Sequence, residues 1–136
     1  MKQSVMLAIS SLLSILFMTF HLADDILFGM ASPRFANLFA VLVFVIWLYG
    51  TLVLAERLAG YIIILLGSLL GLLVPVIHMK GARGVLGGEI GNSTQAFFFV
   101  WTLLALGVTS MFSALLSAHA LWRLPWRPSR RASTAA

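Results

Sequence analysis

Residues Ala96–Leu121 read AFFFVWTLLALGVTSMFSALLSAHAL, 26 positions without one Asp, Glu, Lys or Arg. A helix of that length covers about 39 Å at 1.5 Å per residue, enough to cross a hydrocarbon core of about 30 Å with some tilt. Aromatic residues open the stretch (Phe97, Phe98, Phe99 and Trp101), and Trp122 and Arg123 follow it. An apolar rod with an aromatic collar at one end and a basic anchor at the other is the signature of a transmembrane helix. That reading sets the class of the whole chain, because a chain with one such helix and few charges elsewhere has lipid as its solvent.

Composition agrees. Of the 136 residues, 61% are hydrophobic and 10% charged, and mean hydropathy is +1.04. Soluble domains carry about 25% charged residues. The net charge of +5 comes from basic residues placed between and beyond apolar runs. They read as topology signals and as contacts to anionic lipids, not as a nucleic-acid surface. There is no cysteine, which excludes disulfides, thiolate nucleophiles and cysteine-ligated zinc or iron–sulfur sites.

Three further apolar runs precede the first-quoted one. The expected spans are about 4–23, 35–55, 61–78 and 96–121, forming a transmembrane domain over 1–122. A basic tail, 123–136, is expected to be cytoplasmic and partly disordered. The first run begins after Lys2, and with no clear small-residue cleavage site before Asp24 it is expected to stay as a helix. Gly29 and Pro33 break the chain after it, and Glu56-Arg57 reads as a short turn between antiparallel neighbours. Gly67 and Gly71 form a GxxxG whose bare face predicts close helix packing, and Pro75 predicts a kink. The expected fold is an all-α integral membrane protein, an antiparallel four-helix bundle running up-down-up-down. Such a protein resembles small bacterial four-span membrane proteins, a likeness that implies no function.

Charge orients the bundle. With both termini inside, Lys2, Arg57, Arg123, Arg127, Arg130 and Arg131 face the cytoplasm, and Arg34, Lys80 and Arg83 face out. Six against three favours a plasma-membrane protein with both termini cytoplasmic. Trp122 and Trp126, with Arg123 and Arg127, are the expected interface anchors.

That topology brings His21, Asp24 and Asp25 to the same rim as His78, with Glu89 in the Gly-rich loop nearby. His21 lies three and four residues from the two acids, so all can share a helical face. Imidazoles mixed with carboxylates form a candidate ligand or proton site. As a metal site, His21, Asp24, Asp25 and His78 would suit zinc, manganese or non-haem iron, and the two histidines are the only pair placed for haem. The bland alternative is two acids facing water beside an interfacial histidine. No nucleophile–base pair is visible. Three roles follow: a non-enzymatic accessory or partner-binding subunit, favoured because most of the sequence is packing and anchoring; a small-solute or ion transporter; or a metal- or haem-binding protein. Homo-oligomers or a larger membrane complex fit the first two.

Overall fold

The computed structural model describes residues 2–27, 36–80 and 96–124. They form four helices: α1 (Gln3–Leu27), α2 (Ala36–Leu52), α3 (Leu58–Lys80) and α4 (Ala96–Arg123). Three segments are long and apolar enough to cross a membrane: Gln3–Leu27, Leu58–Met79 and Phe97–Arg123. The second helix differs from expectation. Its 17 residues cover about 26 Å, short of the roughly 20 residues a hydrocarbon core asks for. It stops because the chain turns at 53–57, where Glu56 adopts a left-handed φ of 64°. Gly60 then lets the start of α3 pack against the Leu54 carbonyl, which a Cβ at that position would strike. The Glu56-Arg57 turn is where the sequence places it, but it takes in Val53–Ala55, whose apolar character made them look like the end of the span.

The first helix also departs from its expected end at Ala23. It runs through Asp24 and Asp25 to Leu27, so both acids are helical. The reason lies in the interior: Asp24 is buried at 8% exposure and lies 3.3 Å from Thr102 Oγ1 of α4, whose single proton it shares with the Phe99 carbonyl at 3.0 Å.

Polarity is turned inside out. Phe39, Leu66, Leu115 and many other large apolar side chains face outward, while Ser11, Ser14, Thr51, Ser68, Thr102, Ser110, Ser113 and Ser117 are buried. This is the distribution expected where lipid is the solvent. Burying apolar surface then gives no drive between helices, and small residues and interhelical hydrogen bonds hold the contacts. On α1 the buried residues are Leu7, Ser11, Ser14, His21 and Asp24, a seam with the near-3.5-residue spacing of a helix packed lengthwise on a neighbour.

The helix α4 packs extensively on both α1 and α3. The start of α1 reaches the end of α4, where Gln3 Nε2 donates to the Leu116 carbonyl at 3.4 Å, and the end of α1 reaches the start of α4 through Asp24 and Thr102. Gly71 of α3 lies against Ser110 of α4, and Gly107 of α4 leaves room for the Pro75 ring. Gly67, one turn from Gly71, serves another helix: a Cβ there would sit 2.6 Å from Trp47 Cε2 of α2. The GxxxG is therefore not one seam but two, and α3 is wedged between α2 and α4.

Trp47 fixes α2. Its indole N–H donates to Ser11 Oγ (2.9 Å), and Thr51 Oγ1 donates to the Trp47 carbonyl (2.9 Å). Thr51 has only one proton to give, so Ser11 must donate to Thr51 Oγ1 across their 2.7 Å contact. The ring of three bonds has one consistent direction and joins α1 to α2.

Candidate metal centre

Three side chains converge where α1 and α3 end. Going once round the helix, α1 places His21 and Asp25 one above the other, and His78 comes from the last turn of α3. His78 Nε2 lies 3.3 Å from Asp25 Oδ1, and His21 Nε2 lies 3.7 Å from the same oxygen. One donor atom from each of the three falls within 4.8 Å of the others. The imidazoles meet edge to face, with centroids 4.6 Å apart. Phe99 of α4, fully buried, packs against both, at 5.0 Å from the His21 ring and 5.8 Å from that of His78.

Burial is uneven. His21 is 2% exposed, whereas Asp25 and His78 keep 16% and 19% of their side-chain surface open. The cluster therefore has a closed inner histidine and an open outer side. Neither ring nitrogen of His21 has a hydrogen-bond partner, and neither does Asp25 Oδ1. Buried polar atoms left this way cost about 1–3 kcal/mol each unless something fills the role of partner.

The proton inventory at His78 sharpens this. Its Nδ1 lies 3.0 Å from the Val74 carbonyl oxygen. A carbonyl only accepts, so Nδ1 carries the proton, and the neutral ring then presents a lone pair at Nε2. That lone pair faces a carboxylate oxygen at 3.3 Å. Two electron-rich atoms at that distance need a positive centre between them, a second proton or a cation. Metal-bound imidazoles commonly anchor their other nitrogen on a carbonyl in this way. Zn–N bonds of 2.0–2.1 Å put the donors of a tetrahedral site about 3.3–3.4 Å apart, close to two of the separations here.

Of the expected residues, His21, Asp25 and His78 come together. Asp24 does not join them. It lies about 100° round the helix from Asp25 and turns to Thr102. Glu89, Trp126 and Arg127 lie outside the described residues. Trp122 stands 90% exposed, and Arg123 is exposed at the far end of the bundle. The edge-to-face contact of the imidazoles leaves no slab between them for a porphyrin held by both. Sequence reasoning missed Phe99 and Thr102. Thr102 is the one hydroxyl between Phe97 and Gly107, and that isolation was the only signal it gave.

The chain matches no family model, no curated protein and no solved structure.

Proposed function

We propose that this is an integral membrane protein that binds a divalent transition-metal ion through His21, Asp25 and His78. In this reading the helices form an antiparallel, up-down-up-down bundle with both termini in the cytoplasm, and the ion sits near the outer rim. The observation that carries it is His78 Nε2 set 3.3 Å from Asp25 Oδ1 while Nδ1 is committed to Val74. Two imidazoles and one carboxylate suit zinc, ferrous iron or manganese, and three protein ligands leave room for water or an exchanging ligand. Asp24 stands beside the site without ligating and turns to Thr102. The same donors would serve an accessory subunit or a transporter, so metal binding is the common first step of those roles.

The test is metal content after loading with Zn²⁺, Mn²⁺ or Fe²⁺ and desalting in detergent. The wild-type chain is expected to retain about one ion, and His21→Ala and His78→Ala to lose it, because a buried site does not survive with two protein ligands. Equal retention in both variants rejects the assignment. A wild-type chain that folds and holds none of the three metals leaves a proton as the bridge and rejects it as well.

A further inference from the structure

At the opposite end of the bundle, about 27 Å along α1 from His21, lies a second polar region. A cavity of about 320 Å³ opens between the start of α1, the turn before α3 and the end of α4. Buried Leu7 lines it together with Gln3, Ser4, Glu56, Tyr61 and Arg123. Its size falls at the lower end of the range for small-molecule sites.

Its charges are divided in a particular way. Glu56 and Arg123 line the same cavity, yet no ion pair joins them. Gln3 and Ser4, in the first turn of α1, line the cavity together with Arg123, and that turn carries no acidic residue. The Val5 and Met6 N–H groups donate to the Lys2 carbonyl, and the helix start carries the partial positive charge of the macrodipole. Glu56 stands apart on the α2–α3 turn, held at a left-handed φ of 64°. A residue with a Cβ adopts that conformation at a cost of about 1–2 kcal/mol. The cavity thus offers anion-accepting groups and a single carboxylate that no ion pair joins to Arg123. Tyr61, Gln3 and Ser4 add neutral hydrogen-bonding groups to the lining.

From this we infer that the cavity binds a zwitterion carrying a phosphate and a primary ammonium group, as in a phosphoethanolamine headgroup. The phosphate lies against Arg123 and the α1 N-terminus, where a bidentate guanidinium and backbone N–H groups match its oxygens. The ammonium lies against Glu56. A plain anion leaves Glu56 facing negative charge, and a plain cation leaves Arg123 unmatched. The level of the helix ends is also where lipid headgroups lie, so the same chemistry can come from a phospholipid or from the free headgroup. This site shares no residue with the His21, Asp25 and His78 cluster, so its fate in a test is separate from that of the metal.

The experiment is native mass spectrometry of the full chain in detergent, with phosphatidylethanolamine and phosphatidylglycerol of matched acyl chains supplied in equal amounts. The wild-type chain is expected to retain the ethanolamine lipid roughly fivefold over the glycerol lipid, about what one charge pair at a partly open site supplies. Glu56→Gln abolishes or reverses that preference, and Arg123→Gln lowers retention of both. Gel filtration checks that both variants stay folded, as expected for exposed positions. Free phosphoethanolamine is added as a competitor: displacement assigns the site to the headgroup alone, and no displacement assigns it to the lipid. Equal retention of the two lipids by the wild-type chain, or an unchanged preference in Glu56→Gln, overturns the inference.

Discussion

Helices α1 and α2 are both apolar, yet they join the bundle by opposite means. The first turns a polar seam inward along its length, Ser11, Ser14, His21 and Asp24, and meets partners on α2, α3 and α4. The second buries little beyond Trp47, Gly50 and Thr51, and among the described residues it packs on α3 and α1 but not α4. The contrast separates two uses of polarity in an apolar bundle. On α2 a compact hydrogen-bond ring fastens a helix. On α1 spaced polar groups fasten the helix at one end and bring His21 and Asp25 to the candidate site at the other.

Substitutions can break this contrast. Trp47→Ala is expected to have the largest effect, about 3–5 kcal/mol of stability, since it empties the contact with Gly67 and opens the ring at Ser11. Thermal unfolding in detergent measures the loss, and metal retention should survive near 4 °C because α2 supplies no ligand. If metal binding disappears in a folded variant, α2 is part of the site and the contrast fails. Next come the two glycines. Gly67→Leu and Gly71→Leu should each cost about 1–3 kcal/mol by overpacking, but only Gly71→Leu, which presses on Ser110 of α4, should also weaken metal retention. Equal effects on retention would merge the two seams into one.

Smaller effects sharpen the picture. Ser11→Ala leaves the Trp47 indole without its acceptor and the Thr51 hydroxyl without its donor, so about 1–2 kcal/mol is expected. A neutral result in an unfolding curve would mean that the ring adds nothing to packing. Thr102→Val should cost the least, about 0.6 kcal/mol, the average for a hydrogen bond between membrane helices. A loss of several kcal/mol would make Asp24 a keystone rather than a bystander.

Much of this was legible in the chain, for reasons that also mark where reading stopped. Long apolar runs give away helices, so α1, α3 and α4 could be placed from composition. Val53–Ala55 are as apolar as the helix before them, and the turn that claims them is written in the backbone at Glu56 and Gly60. The spacing of Gly67 and Gly71 forecast bare patches, but spacing does not name the partners, which proved to be Trp47 and Ser110. The adjacent acids Asp24 and Asp25 read as two members of one candidate ligand set with His21. Neighbours on a helix point about 100° apart, and here that angle sends one toward two imidazoles and the other toward a threonine. The histidines could be placed on one rim from topology alone, whereas the commitment of His78 Nδ1 to Val74 needed atoms.

The three converging side chains come from the first and third helices, so Asp25 is made 53 residues before His78. In the proposed membrane topology the early half of the cluster is therefore made with nothing to close it. An ion captured only after the third helix arrives would act as a clasp between segments distant in sequence. Its retention would report that the helices have assembled in the right order, and its binding energy would add directly to the stability of the assembled form.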